Sequence, residues 1–337
     1  MAEQKPPEPV KKTGKKIGCL GCSFSLGIFI FFMVVLVLII VSLLLGPVGR
    51  GFIGIELPEW LSVPQPHVLL PAEMIFPLGH FAGQEWGITN TMLASWLTML
   101  VLLLLSLLVI KRSKLIPSRL QSFIESVFEW LYNFCREVAG EKNGKRFFPI
   151  ITTIILFVLF NGWLSLLPGF ITIKAHTAEG EVALLRGANT DINTPLALAI
   201  ISFVFVEYVG LSSGGFGYLK KFFQVGRFFR GWGKVFTGKV KSGLGDLFFG
   251  GVDIVVSIIE FISEFFRIIS LTFRLFGNMI GGEILVFMII FLLFVTPIII
   301  PYGLEILFGL IQALIFGFLT LVFASIAATS HDHEGSH

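Results

Sequence analysis

Charged residues are scarce in this sequence. Only 14% of its 337 residues are Asp, Glu, Lys or Arg, whereas soluble proteins carry roughly 25%. Hydrophobic residues account for 55% of the chain, and 37 residues are Phe. Such a chain has too little polar surface to face water, which excludes a soluble globular protein. Because it is also too apolar to be disordered, we expect a polytopic membrane protein.

Cysteine is rare as well, and its three positions, 19, 22 and 135, exclude a disulfide framework. Cys19 and Cys22 form a C-x-x-C pair, but no second pair or histidine cluster lies near them to complete a metal site. Three histidines of the C-terminal tail lie among polar residues, and we interpret them as solvated: His331, His333 and His337. We therefore predict neither a metal nor a cofactor.

The segment 233–239 fits the phosphate-binding pattern G-x-x-x-x-G-K. However, Val240 stands where that motif requires Ser or Thr, and no strand precedes it. We predict no nucleotide site there. The surrounding basic segment, 219–241, has Phe and Trp between its cations, which suits anionic lipid or an acidic partner surface better than nucleic acid.

Six apolar runs are long enough to cross a bilayer, which needs about 20 residues per helix. They occupy residues 24–45, 92–110, 149–167, 195–211, 251–294 and 303–328. The first run, with 22 residues, is longer than the roughly 7–15 residues of a signal-peptide core. This favours a retained membrane anchor over a cleaved leader. The runs together predict an all-α polytopic membrane protein with about six membrane helices.

The fifth run, 251–294, is too long for a simple crossing. As one helix it would extend roughly 66 Å, whereas the hydrocarbon layer is only about 30 Å thick. The run contains no proline, and the pair Gly281-Gly282 is its only weak helix breaker. It is therefore either two helices or one steeply tilted helix, and we favour the single helix.

The connecting segments differ in their content of Lys and Arg, and an excess of these residues marks cytoplasmic segments. Residues 1–17, 111–146 and 219–241 hold five, eight and seven of them, whereas 47–90 and 168–194 hold one and two. This alternation places the basic segments and both termini in the cytoplasm. It places the poor segments, and the turn at 297–302, outside.

An amphipathic helix is predicted between the second and third runs, at 118–137. Apolar residues recur there at helical spacing, with charged residues between them; they are Leu120, Phe123, Val127, Leu131 and Phe134. Such a helix either lies on the cytoplasmic membrane surface or packs against a soluble partner.

Ionisable residues in the fifth run are functional candidates, because a charge at the bilayer centre costs about 2.5–3.5 kcal/mol on insertion scales. Glu260, Glu264 and Arg267 share one broad helical face with Arg274 and Asn278. Glu264 and Arg267, three residues apart, would neutralise each other. Arg274 has no acidic residue three or four positions away. Its counter-ion must therefore come from another helix or another subunit, and its own charge is permanent.

Glu283 lies about 180° round the helix from Arg274 and is expected to face the last helix. That helix carries Glu305 and Gln312 on one face, and the three side chains could line one hydrated path. The alternative for Glu283 and Glu305 is a snorkelling or capped group near the outer interface.

Polar residues also lie in or beside the third and fourth runs. Asn161 interrupts the third run, and Glu207 lies within the fourth. Asp191 and Asn193 precede the fourth run on its outer side. Their alternative interpretation is a helix N-cap ahead of Pro195.

The run S-L-T-F-R-L-F-G-N-M-I-G-G-E at 270–283 resembles the signature of subunit a of rotary F-type ATP synthases. The segments L-I-Q-A-L-I-F at 310–316 and L-T-L at 319–321 are similar to the last-helix motif of that family. Weaker similarities are Asn161 with L-L-P-G at 166–169, D-I-N at 191–193 and P-S-R-L-Q at 117–121. The resemblance covers about residues 75–330.

The resemblance implies an ion-conducting stator subunit, with no catalytic site of its own, beside a rotating ring of c subunits that each carry a buried carboxylate. Arg274 would face that carboxylate, favour its deprotonation and separate two offset half-channels. The outer half-channel would be lined by Asn278, Glu283, Glu305, Gln312, Asn161, Asp191 and Asn193, and the cytoplasmic one by Glu260, Ser263 and Ser270. The last two membrane helices would form a long, steeply tilted hairpin.

The resemblance also implies partners and a location. The partners would be the c ring, b-type peripheral stalk subunits, other ATP synthase subunits and the lipid bilayer, in the inner (plasma) membrane of a bacterium. The expected organisation is a basic cytoplasmic N-terminus at 1–23, an additional anchor at 24–46, an outer segment at 47–90, a subunit a-like domain at 91–330 and a polar tail at 331–337.

Two features depart from the family's pattern. Residues 1–60 have no counterpart in it, and the additional anchor moves the N-terminus to the cytoplasm. The family often has a histidine at the position of Glu283 or Glu305, whereas here two carboxylates would titrate as a coupled pair. Two other functions remain open: a stand-alone transporter that uses these two carboxylates, and a membrane scaffold in which Arg274 is merely salt-bridged.

Overall fold

The computed structural model describes residues 20–46, 72–81, 84–112, 118–167, 170, 173–177, 180–222, 226–236, 240–292 and 299–329. These ranges contain seven α-helices: α1 (Leu20–Leu45), α2 (Asn90–Arg112), α3 (Arg119–Ser165), α4 (Asn193–Gly214), α5 (Gly226–Phe236), α6 (Val240–Leu292) and α7 (Ile299–Thr329). They also contain two antiparallel hairpins, β1 (Met74–Phe81) with β2 (Gln84–Thr89) and β3 (Lys174–Thr177) with β4 (Gly180–Ala183).

Six of the described helices are long and apolar enough to cross a membrane, namely α1, α2, α3, α4, α6 and α7. The remaining one, α5, has only 11 residues. This confirms the prediction of an all-α polytopic membrane protein with about six membrane helices. Cys19 and the three tail histidines lie outside the described residues, as does most of the segment 47–90.

The fifth apolar run forms one continuous helix, α6, which has 53 residues and begins before the run itself. The two-helix alternative is therefore wrong. No proline interrupts the helix, and Gly281 and Gly282 are both accommodated within it because glycine lowers helix stability by only about 1 kcal/mol. At 1.5 Å per residue the helix is roughly 80 Å long, which far exceeds a perpendicular crossing. Its partner α7 begins at Ile299, so residues 299–302 are helical rather than part of a turn.

The predicted amphipathic helix and the third apolar run are joined in α3, which bends sharply at Gly140. The backbone there has φ +77° and ψ 168°, a conformation that glycine adopts without steric cost. The helix begins after Ser118, whose hydroxyl oxygen accepts a hydrogen bond from the Gln121 amide, as a serine N-cap should. The bend thus separates the amphipathic part from the membrane-crossing part.

The apolar stripe of the amphipathic part is only partly covered within the chain. Leu131 is buried, and the Phe134 ring stacks on Phe318 of α7 with centroids 4.0 Å apart. Phe123, by contrast, is 70% exposed. One half of the stripe therefore packs on the last helix of the same chain, which neither interpretation of the sequence foresaw. The other half remains available to lipid or to a partner.

The chain divides into two compact units. The larger comprises residues 67–286 and 299–337, and the smaller comprises 1–66 and 287–298. In the larger unit α3, α4 and α7 pack around side chains that are at most 1% exposed, including Phe147, Ile151, Val206, Phe316 and Leu321. Within this core the hydroxyls of Ser202 and Thr320 hydrogen bond at 2.7 Å. In the smaller unit α1 exposes most of its apolar side chains.

Candidate functional site

The face of α6 that carries Arg274 borders a groove of about 280 Å³. Its lining residues come from α6 and α7 and are Ser263, Phe266, Arg267, Ser270, Leu271, Arg274, Leu319 and Phe323. Ser263 and Ser270 are exposed, and Glu260, on the same helix, is half-buried. The structure therefore places the residues predicted for the cytoplasmic path along one side of one helix.

Arg267 is neutralised within this groove, as the spacing of the sequence predicts. Its guanidinium lies 2.7 Å from the Glu264 carboxylate. The same guanidinium also lies over the ring of Phe323, 3.9 Å from the centroid, which is a favourable cation–π geometry. Both partners of this charge belong to the chain itself.

Arg274 has a different environment two turns further along α6. Its side chain is exposed, and it makes no hydrogen bond or ion pair with any part of the chain that the structure describes. Arg274 is thus not neutralised by a carboxylate of the described polypeptide. Because arginine stays protonated in proteins, Arg274 presents a fixed positive charge on the exposed face of α6.

One turn beyond Arg274, α6 and α7 are joined by an amide pair. The Asn278 side-chain amide donates a hydrogen bond to Oε1 of Gln312 at 2.9 Å. Gln312 is 1% exposed, and its own Nε2 is buried without a hydrogen-bond partner among the described residues. The structure therefore brings together two residues that are 34 positions apart and that the sequence assigned to one path.

Glu283 is paired with a residue that sequence reasoning missed. Arg186, in the segment between β4 and α4, donates a hydrogen bond to Oε2 of Glu283 at 3.2 Å. The two side chains are only 8% and 12% exposed. From the sequence Arg186 counted only as a loop charge. The available signal was that it is one of just two Lys or Arg residues in 168–194 and lies five positions before the first residue of the D-I-N motif.

Glu305 lies on α7 against the turn of α6 that carries Glu283. A Cβ built on Gly282 would lie 3.0 Å from Oε1 of Glu305, so the carboxyl group occupies the space that this glycine leaves. Its Oε2 is buried and has no hydrogen-bond partner among the described residues. A snorkelling side chain would place both carboxylate oxygens in polar surroundings, so the burial of Oε2 argues against the snorkelling alternative for Glu305.

The remaining predicted polar residues meet at the same end of the helices. Asp191 accepts hydrogen bonds from the Thr91 hydroxyl at 3.2 Å and from the Asn193 backbone amide at 3.3 Å. The N-cap interpretation is wrong, because the N-cap of α4 is Ile192 and no side chain caps it. The carboxylate of Asp191 instead joins the segment before α4 to α2. Asn161 accepts from the Ala188 amide at 3.2 Å, and its Nδ2 is buried without a partner in the described structure.

Another polar contact lies at the opposite end of α4, beside the 3₁₀ turn Gly215–Phe222. The Tyr218 hydroxyl donates to Oε1 of Glu207 at 3.3 Å, and Tyr218 is only 3% exposed. Burial raises the pKa of the Tyr218 hydroxyl above its ordinary value of 10.0, and the negative charge of Glu207 raises it further. The phenol therefore remains a donor well into the alkaline range.

Comparison with known proteins assigns this arrangement to a family. The sequence model of the family described as ATP synthase A chain matches residues 92–325. The chain belongs to this family. ATP synthase subunit a of Gloeobacter violaceus is 36% identical over 246 residues, which cover 72% of this chain and 85% of that relative.

Further relatives of the ATP synthase A chain family agree with this assignment. ATP synthase subunit a of Citrifermentans bemidjiense is 33% identical over 264 residues, covering 77% of this chain and 95% of that relative. ATP synthase subunit a of Geotalea daltonii is 34% identical over 253 residues, covering 74% of this chain and 90% of that relative. The family match includes the run 270–283 and begins after α1.

Proposed function

We propose that this chain is the ion-conducting stator subunit of a rotary ATP synthase. In this proposal two offset half-channels lead protons to and from the carboxylates of a rotating c ring, and Arg274 is the fixed charge between them. The chain binds no nucleotide and contributes to ATP synthesis only as part of the whole complex. Its partners are the other subunits of that complex, including the c ring and b-type peripheral stalk subunits.

The observation that carries the proposal is the exposed, unpaired guanidinium of Arg274. A permanent charge on an apolar helix is costly unless an opposite charge approaches it, and the described part of the chain supplies none. A carboxylate on a neighbouring ring subunit would complete the pair. An adjacent cation favours the ionised form of such a carboxylate, so each ring carboxylate would release its proton as it passes Arg274.

The polar groups on either side of Arg274 support two separate paths. Towards one end of α6 lie Asn278, Glu283, Glu305, Gln312, Asn161, Asp191 and Asn193, which we assign to the outer half-channel. Towards the other lie Glu260, Ser263 and Ser270, which we assign to the cytoplasmic one. Arg274 lies between the two sets along the helix. In this proposal a proton passes from one half-channel to the other only while it is bound to a carboxylate of the rotating ring.

The location in the membrane is part of the proposal. We place the chain in the bacterial inner membrane with both termini in the cytoplasm. Helix ends that the loop charges assign to the same side do lie together: Ser325 near the end of α7 donates to the Val138 carbonyl of α3. At the opposite end the Thr91 hydroxyl reaches Asp191.

A cross-linking experiment tests whether the Arg274 face meets the ring. In a background with Cys19, Cys22 and Cys135 changed to serine, Ser270→Cys introduces a thiol one turn before Arg274. We expect it to form a disulfide with a cysteine placed beside the carboxylate of the c subunit, because both would face the same interface. Disulfide formation is read on gels of oxidised membranes.

The matched control for this cross-link is Ile201→Cys on α4, which is also exposed but lies on another helix. It should yield no product with the ring. If the Ser270→Cys chain assembles and co-purifies with the ring but does not cross-link, or if both positions cross-link equally, the proposed interface is wrong.

A further inference from the structure

A buried ion pair joins Glu283, which the sequence assigns to the outer path, to Arg186, which the sequence analysis did not assign to it. The pair lies 3.2 Å apart with side chains 8% and 12% exposed, so water screens it little. Arg186 reaches Glu283 from a segment 97 positions earlier in the chain. A buried pair of this kind is strongly destabilised when one member is removed, since the other is left as an uncompensated charge.

Glu305 is the second carboxylate at this place, and its surroundings differ from those of Glu283. Its Oε2 is buried with no donor among the described residues. The charged groups that the structure places here are Glu283 on α6 and Arg186 on the segment before α4. The indole N–H of Trp163 on α3 donates to the Ile306 carbonyl at 3.2 Å, so it is not available as a donor to Glu305.

The two carboxylates therefore differ in how well their surroundings stabilise a negative charge. Glu283 has a guanidinium in contact with it, whereas the residues that the structure describes place no cation in contact with the carboxyl group of Glu305. A buried, uncompensated carboxylate is costly as an anion. Glu305 is thus the member of the two that is suited to bind and release a proton.

We infer that Arg186 is a positioning residue that gives these two carboxylates different roles. Arg186 holds Glu283 as a fixed, compensated charge, and Glu305 carries the proton. Glu305 takes a proton from water on the outer side to become the neutral acid, and it returns to the carboxylate when the proton passes on towards the ring. This inference rests on the proposed function, since it assigns roles within the outer half-channel.

A double-mutant cycle in the assembled ATP synthase tests the inference, with ATP-driven proton pumping in inverted membrane vesicles as the readout. Arg186→Gln should lower pumping by at least roughly tenfold, because it leaves Glu283 uncompensated beside Glu305. Arg186→Lys should retain most of the pumping, since its ammonium group keeps a positive charge and a donor for Oε2 of Glu283. The double variant Arg186→Gln with Glu283→Gln should recover several-fold over Arg186→Gln, because no buried charge is then left alone.

Glu305→Gln is the decisive comparison in this cycle. It should abolish pumping whether Arg186 and Glu283 are present or both replaced, whereas the neutral double variant alone should still pump. The amount of the subunit in the membrane and its co-purification with the ring are measured for every variant. Should Arg186→Gln fail to assemble, the comparison between the double variant and Glu305→Gln remains.

Two results would overturn the inference: pumping retained by Glu305→Gln, or a neutral double variant that assembles poorly or pumps no better than Arg186→Gln. These outcomes are distinguishable from failure of the proposed function. If the chain were not the stator subunit, Arg274→Ala would leave pumping intact. If only the roles of the two glutamates were wrong, Arg274→Ala would still abolish it.

Discussion

Three arginines at the membrane helices differ in what neutralises their charge. Arg186 contacts Glu283, and Arg267 contacts Glu264, both within the chain. Arg274 has no such contact among the residues that the structure describes. Because all three are permanently charged, the charges of Arg186 and Arg267 are compensated within the chain, whereas Arg274 depends on a group from outside these residues.

Tyr218 provides a test of the buried polar contact at the C-terminal end of α4. Tyr218→Phe removes the hydrogen bond to Glu207 and should lower the free energy of unfolding by about 1 kcal/mol near neutral pH. The native phenol has a raised pKa, so above pH ~10 the unfolded chain releases this proton before the folded chain does. Wild-type stability should therefore fall as the pH rises, and the difference from Tyr218→Phe should shrink.

The measurement for Tyr218 is thermal unfolding of the purified complex between about pH 8 and pH 11. Tyr208→Phe is the control, because Tyr208 is 60% exposed and should leave the shape of the pH profile unchanged. A constant difference between wild type and Tyr218→Phe across this range would contradict the raised pKa.

At this scale, local pairs were predictable and distant ones were not. Glu264 and Arg267 are three residues apart on one helix, so helical geometry alone brings them together. The pair Arg186 and Glu283 depends on how a connecting segment turns back over α6. Neither helical periodicity nor loop charge contains that information. The sequence analysis therefore assigned Glu283 to the outer path without identifying Arg186 as its partner.

At the scale of elements, the packing of α3 on α7 depends on small residues at the points of closest approach. A Cβ built on Gly317 of α7 would lie 2.3 Å from Cγ1 of Ile155 on α3. A Cβ built on Gly162 of α3 would lie 2.5 Å from Cε of Met279 on α6. Glycines at such positions let membrane helices approach closely and gain van der Waals contact.

Gly317→Ala tests this packing. The new methyl group would overlap Ile155, which cannot turn aside freely because it is β-branched. We expect a loss of about 1–3 kcal/mol in the free energy of unfolding in detergent. The double variant Gly317→Ala with Ile155→Ala should lose less free energy of unfolding than the sum of the two single variants. The methyl group introduced at position 317 would then fill part of the cavity that the smaller side chain at position 155 leaves.

The control for Gly317→Ala is Gly303→Ala in the same helix, where no atom lies within 4 Å of the built Cβ. This change should leave stability equal or slightly higher, because alanine favours the helix. Equal effects of the two substitutions would mean that the close approach at Gly317 does not limit the packing.

The helices themselves were largely predictable, because long apolar runs without proline have few alternatives in a membrane. The single long α6 followed from that argument. The hairpin β1–β2 did not, since Pro77 and Gly79 interrupt its first strand and disturb its register. The bend at Gly140 was also missed, because a glycine within a helical pattern is usually tolerated there.

At the scale of the whole molecule, loop charges and tertiary contacts agree. Segments predicted on the outer side contribute Arg186 and Asp191 to contacts with the ends of α6 and α2. Segments predicted in the cytoplasm bring Val138 against Ser325. The predicted alternation of crossings requires such contacts, because the helix ends on one side of the membrane must lie near one another; which side is cytoplasmic stays a prediction. Which residues meet between α6 and α7 could be predicted only from the family resemblance at 270–283 and 310–316. Helical periodicity alone does not determine which faces of two helices contact each other.

The central claim is that the charge of Arg274 couples proton movement to rotation. Arg274→Ala removes this charge without disturbing any contact within the described chain, so the complex should still assemble. We expect ATP-driven pumping in inverted vesicles to be lost. Vesicles stripped of the catalytic sector should still conduct protons passively, because nothing then separates the two half-channels. Arg230→Ala, which removes an exposed arginine on α5, is the control and should pump normally.

The most direct measurement is therefore the rate of ATP-driven proton pumping by Arg274→Ala vesicles that contain the normal amount of assembled complex. Our account predicts no pumping above background, together with normal pumping by Arg230→Ala. Substantial pumping by assembled Arg274→Ala complexes would contradict it.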